Sequence, residues 1–221
     1  MTSEVTGEDV AVAGWSATRP AGDASSTRRV RIAVDLLGGD QAPAVVVDGA
    51  LRALNADPDL HLLLVCPRRA AEEILNALDP AEHHRVGVRV ADGSVSMNDP
   101  PSRGADPGTS VCAAALAHAE GEVEAIVSAG SSGAIVTAAV LALGRLEGVR
   151  KPALAAWVPT STGRDRLLLD VGGSVESTVT SILSHAALGV AYAIAGAAAD
   201  QAHQAAAGKW PRSDARAGAT H

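Results

Sequence analysis

Apolar and polar positions alternate between two rhythms along the 221-residue chain. Short, mainly apolar runs occur at 31–35, 60–66, 86–90 and 125–128, bounded by turn residues, and that at 60–66 is the least interrupted. Such runs are expected of strands buried on both faces of a parallel sheet. Between them, apolar residues recur at helical spacing. Val46, Val47, Ala50, Leu51 and Leu54 share one face of a helix that Pro43 opens as its first residue. Pro67 opens a second helix to Leu78, with Glu72 and Glu73 on its wet side. Thr109 or Ser110 caps a third, which runs to Ala119, and a fourth runs from Ala134 to Arg145 with Gly148 just beyond. The runs at 153–158 and 167–171 lie too close together for a crossover helix, so an antiparallel hairpin is predicted there. A last helix is expected over 177–199.

This order of elements predicts an α/β fold, a three-layer α/β/α arrangement around a mostly parallel sheet. The rhythm breaks once, in a long Pro- and Gly-containing loop over 91–108, and loops of that length are usually functional or mobile. Residues 1–29 lack periodicity and read as a disordered leader, 30–200 as one domain, and 201–221 as an unstructured tail.

Composition narrows the picture. The chain is 47% hydrophobic but 2% aromatic, with no Phe, so its core must be built from Ala, Val, Leu and Ile. A formal charge of −7 argues against a nucleic-acid partner, which requires clustered Lys and Arg. The acidic N-terminus does not look like a secretory signal. Residues 182–199 are short and weakly hydrophobic for a membrane span, so a helix buried on a sheet face is expected, in a soluble, cytoplasmic protein. Cys66 and Cys112 have no metal-ligand spacing and read as reduced, buried thiols.

Candidate chemistry gathers at 124–146, which reads as strand, small-residue loop and helix. The free N–H groups at such a helix start form an anion site that needs no basic side chain. Gly130 and Gly133 let a ligand approach the backbone, and Ser131 and Ser132 can cap the helix or donate to an oxyanion. The spacing is neither the GxGxxG dinucleotide fingerprint nor a P-loop. Three small-residue loops follow strands: 36–40 with Gly38, Gly39 and Asp40, 129–133, and 172–174 with Gly172. In parallel sheets ligands sit outside the carboxyl ends of the strands, so these loops are expected to converge there. No catalytic triad order, GxSxG elbow or HExxH motif occurs, which leaves covalent hydrolase and zinc readings without support. His185, in the last helix, is expected in the core or a cleft wall.

Four collinear stretches carry a resemblance. IAVDLLGGDQAP at 32–43, VSAGSSGA with LALGRLEGVRKPALA after it, LLLDVGGSVE at 167–176 and SHAALGVAYA together resemble the PlsX-type phosphate acyltransferases over roughly 30–199. The first is similar to that family's V-D-x-M-G-G-D-x-x-P pattern. The resemblance implies an isocitrate/isopropylmalate dehydrogenase-like fold and a homo-oligomer, usually a homodimer. It implies transfer of a fatty acyl group from acyl carrier protein, or another acyl thioester, to inorganic phosphate, without metal or redox cofactor. Asp40 and Ser132 are then the catalytic candidates, and Asp35, Gly38, Gly39, Gly130, Ser131, Gly133, Asp170 and Gly172 the substrate-binding ones. Either Asp40 positions or deprotonates the phosphate, or it caps its loop, and the same alternatives hold for Asp35 and Asp170.

The chain departs from the family pattern in three places. Ser131 stands where the family loop, A-G-N-T-G-A, has Asn. Arg103 stands alone where family members carry a basic run. Family members also continue past this chain's end, so it reads as C-terminally truncated. These departures favour a second reading, a non-catalytic paralogue that binds acyl carrier protein, an acyl chain or a full-length partner.

Overall fold

Parallel pairing around one central strand sets the frame. In the computed structural model, β1 (Val30–Asp35) pairs with β2 (Leu60–Cys66) on one side and with β4 (Ala125–Val127) on the other. With β3 (Val86–Val90) outside β2, the result is a four-stranded parallel sheet of order β3-β2-β1-β4. The structure describes residues 30–161, 166–172 and 178–206, with side chains to 196. The expected leader, residues 207–221 of the expected tail, and residues 162–165 and 173–177 lie outside the described residues, while 201–206, expected to be unstructured, continue the last helix.

Both faces of the sheet are covered, which explains the mainly apolar runs. Successive side chains of β2 point to opposite sides. Leu62 and Leu64 pack with Ala50 and Leu54 of α1 (Ala44–Ala56) and with Ala71 of α2 (Arg68–Ala77). Leu63 and Val65 pack with Ala33 and with Ala113, Ala114 and Ala117 of α3 (Ser110–Ala119). Ala134 and Ala138 of α4 (Ser132–Leu143) continue this second layer against Val111 and Ala115 of α3. Without Phe, the core relies on alanine faces that let helices approach closely. This is the three-layer α/β/α arrangement that the order of elements predicts.

Two arginines fasten the layers. The Arg31 backbone N–H and guanidinium both donate to Glu124, at 2.7 and 3.1 Å, and so hold the start of β4 beside β1. Burial raises the Glu124 carboxyl, but Arg31's hydrogen bonds and charge outweigh it and keep the group below its ordinary value. Arg85, buried, donates to the carbonyls of Leu54, Asp57 and Leu60 and pairs with Glu82, tying the end of α1 to the start of β2.

Some boundaries differ from the sequence expectations. Pro43 precedes α1 as its N-cap rather than opening it. Neither Thr109 nor Ser110 caps α3 through its side chain: Thr109 Oγ1 donates to the Asp106 carbonyl, and Ser110 reaches across to Asp35. The fourth helix starts at Ser132, two residues earlier than its apolar pattern suggests, and ends at Leu143 because Gly144 turns left-handed (φ 76°).

The chain divides into two compact units, one up to Gly148 and one from Val149. In the second, β5 (Ala155–Val158) and β6 (Arg166–Leu169) form the expected antiparallel pair, and α5 (Val179–Ala206) packs on β6. The expectation of a buried last helix is not met. Over Val179–Gly196 its mean hydropathy is 1.5 and 11% is buried. That stretch is long and apolar enough to cross a membrane by length and composition alone, though only marginally so. Its exposure follows from its support, since a two-stranded sheet covers one narrow face of a helix.

Both cysteines are free and buried, as expected. Burial pushes the Cys66 thiol up to about 11. Cys112 is also raised, first by burial and then by the Asp106 charge, with Arg89 pulling the other way. At pH 8 neither thiol is therefore expected to react with a disulfide reagent in the folded protein, and both should react in denaturant. Rapid labelling of native protein would contradict this burial.

Candidate active site at the switch point of the sheet

The strand order places a crevice. From β1 the chain steps outward through β2 and β3, then returns to the other side of β1 as β4. The loops after β1 and β4 therefore leave the sheet in opposite directions from adjacent strands. That topological switch point is where open α/β sheets bind ligands. The 36–40 and 128–133 loops lie there, beside the start of α3.

Asp35 ends β1 and is 2% exposed. Its Oδ1 accepts from Ser110 Oγ at 2.5 Å and from the Leu37 N–H at 3.2 Å, and its Oδ2 accepts from Ser128 Oγ at 2.7 Å. Ser128 Oγ in turn accepts from the Gly130 N–H at 3.1 Å. A carboxylate only accepts, so Ser128 must donate to it and turn its lone pairs toward Gly130. Asp35 thus braces three elements from a buried position.

The bracing needs a residue without a side chain at 38. A Cβ on Gly38 would fall 2.6 Å from Asp35 Oδ2, 2.8 Å from Ser128 Oγ and 2.9 Å from the Gly130 nitrogen. Gly39, at φ 111°, sits against Ala129, so the two loops abut. Asp40 follows on the same turn and is exposed. Across the crevice Ser131 is the N-cap of α4 and Ser132 its first residue, exposed, with no side-chain capping bond. Ile135 N–H donates to the Ser131 carbonyl, so the amides of 131–134 lack intrahelical partners. The amide of Gly130 differs, being held by Ser128. The short 3-10 turn Pro101–Ala105 lies against this helix start, where a Cβ on Gly133 would meet Pro101 Cγ at 2.8 Å. Arg103 of that turn pairs with Asp106 at 3.1 Å.

The structure therefore brings Asp35, Gly38 and Gly39 against Ser128, Ala129 and Gly130, while Asp40 and Ser131, Ser132 and Gly133 follow in the same two segments. Asp170 and Gly172 belong to the second unit. Asp170 there adopts a left-handed conformation (φ 61°), with its Oδ2 3.7 Å from Nδ1 of the buried His185. Both line a cavity of about 620 Å³ between β6 and α5, otherwise walled by apolar residues such as Leu167, Leu169, Ile182 and Val190. Among the described residues, Asp170 Oδ1 and His185 Nε2 have no hydrogen-bond partner. Among the described residues no group of His, Cys, Asp and Glu is arranged to hold a metal ion.

Residues 30–203, both switch-point loops among them, match the family described as fatty acid synthesis protein. The chain belongs to the fatty acid synthesis protein family. Relatives named phosphate acyltransferase include that of Bacillus licheniformis, 37% identical over 165 residues, covering 74% of this chain and 48% of the relative. Those of Bacillus subtilis and Salinibacter ruber are each 36% identical, over 74% of this chain and 48% and 49% of their own. The chain thus spans about half the length of the curated relatives it matches.

Two members of the site, Ser110 and Ser128, were not among the residues predicted from sequence. Each is a small polar residue at an element boundary, and nothing in the local sequence marks its tie to Asp35. Their contacts with Asp35 span 75 and 93 residues of chain.

The packing predicts opposite effects for two glycines. Gly38→Ala should lower stability by about 1–3 kcal/mol, because its Cβ overpacks the Asp35 brace. Gly49→Ala, inside α1 with nothing within 4 Å of its Cβ, should raise it by roughly 0.5–1 kcal/mol. Thermal or urea unfolding of the pair checks both signs.

Proposed function

We propose that this protein transfers a fatty acyl group from acyl carrier protein to inorganic phosphate, giving an acyl phosphate for fatty acid and phospholipid biosynthesis. The observation that carries this reading is the pairing of two glycine-containing loops at the switch point, where Gly38 and Gly39 abut Ala129 and Gly130 and the amides of 131–134 lack intrahelical partners. Its family membership and the name its relatives bear support the same reaction.

In this reading phosphate lies against the backbone N–H groups that follow Gly130. Asp40 orients the attacking phosphate oxygen or takes up its proton. The oxygen adds to the thioester carbonyl, and the Ser132 hydroxyl and neighbouring amides stabilise the oxyanion that develops. Collapse breaks the C–S bond and releases the carrier's thiolate, leaving a new C–O–P linkage. Asp35 acts as a brace, since its oxygens are already engaged, and Gly38, Gly39, Gly130, Ser131 and Gly133 shape the two loops. Within the second unit, Asp170 and Gly172 are substrate-binding residues in this reading. No metal or redox cofactor takes part in these steps. The protein works in the cytoplasm as a homo-oligomer.

One observation favours the second reading. Ile182, Leu183, Val190 and Ile194 of α5 are each more than half exposed. Exposed apolar surface on this scale is what a binding partner covers. A non-catalytic protein that holds acyl carrier protein, an acyl chain or a full-length partner would use such a face.

Acyl phosphate formation from acyl carrier protein thioester and inorganic phosphate, trapped with hydroxylamine, separates the two. The enzyme reading expects phosphate-dependent product that falls by on the order of 10²-fold or more in Ser132→Ala and in Asp40→Ala. Folded protein that binds acyl carrier protein yet makes no product would leave the binding reading in its place.

A further inference from the structure

We propose that Ser128 is a positioning residue for phosphate: its hydroxyl, aimed by buried Asp35, holds the Gly130 amide and so sets the course of the loop at 129–133. The inference rests on the acyltransferase reading above and adds a residue that the reaction itself does not require.

The direction of the hydrogen bonds makes the case. Asp35 cannot donate as a carboxylate, and Ser110 and Leu37 already occupy its Oδ1. The Ser128 hydrogen therefore goes to Oδ2, and the lone pairs of Oγ are left for the Gly130 N–H. A hydroxyl free to rotate could turn either way, but this one cannot. The Gly130 peptide is thereby fixed, and with it the plane that leads into Ser131. Crowding removes slack, because a Cβ on Gly130 would lie 3.2 Å from Ser128 Oγ and 3.3 Å from Gly38 Cα. Ser128 touches neither reacting group in this arrangement, so its effect on the reaction passes through the backbone.

That separation gives it a recognisable signature. Ser128→Ala leaves Asp35 Oδ2 and the Gly130 N–H without their shared partner, and the loop loses its fixed direction. The expected result is a KM for inorganic phosphate raised by about tenfold to a hundredfold, with the KM for acyl carrier protein little changed and kcat reduced by less. Ser128→Thr keeps the hydroxyl on the same Cβ and should restore the phosphate KM toward wild type. A residue of merely structural importance would lower the melting temperature without this selective shift or rescue. Should Ser128→Ala fail to fold, Ser128→Cys, which offers only a weak thiol donor, takes its place with the same expected shift.

Initial rates for wild type and the variants, at varied phosphate and then at varied acyl carrier protein, decide the matter. Active wild type with an unshifted phosphate KM in Ser128→Ala, or no rescue by Thr, overturns the positioning role and leaves the acyltransferase reading standing. Wild type that makes no acyl phosphate overturns that reading and the positioning role with it.

Discussion

A carboxylate taken out of water must be answered by donors, and the fold around the crevice is arranged to answer one. Asp35 ends the central strand at 2% exposure and receives a donor from the following turn, one from the start of α3 and one from the end of β4. Hydrogen bonds to a charged group contribute roughly 1.5–3 kcal/mol each, and losing one partner of a buried charge costs more than the bond itself. Stability and loop geometry are therefore coupled here. The tight approach at Gly38, the held Gly130 amide and the abutting loops all follow from keeping three elements within reach of one side chain. A site built this way is organised before any substrate arrives, which is the condition under which backbone dipoles are most effective.

The two units differ in how well they cover themselves. In the first, alanine faces on α3 and α4 and leucines on β2 bury each other on both sides of the sheet. In the second, a long apolar helix has two short strands to lean on, and much of its surface remains open. The relatives that the chain matches are about twice as long as the part it spans.

Local pattern made the first unit's strands legible, and β2 and β3 fall on the predicted residues because each is a short, mainly apolar run between turn signals. Helix ends were less legible. The apolar pattern of α4 starts at Ala134, yet the helix begins at Ser132, since polar residues are welcome in a first turn where no core contact is required. Asp35 was visible as a strand-end acid, but its part as a brace was not. Ser110 and Ser128 reach it across 75 and 93 residues, and no local spacing encodes such pairings. The burial of α5 was misjudged for a related reason, because an apolar helix in sequence does not state how much sheet will be available to cover it.

The loop geometry depends most on the relay from carboxylate to hydroxyl to amide, and native-state hydrogen exchange at Gly130 reads it directly. The Gly130 amide should be protected in the wild type, and protection should fall sharply in Asp35→Asn, although Asp35 makes no bond to that amide. Asn at 35 replaces one acceptor oxygen with a donor, so the Ser128 hydroxyl loses the partner that aims it. A wild-type amide that exchanges as freely as an exposed loop, or one whose protection is the same in both proteins, would contradict the central role given to Asp35.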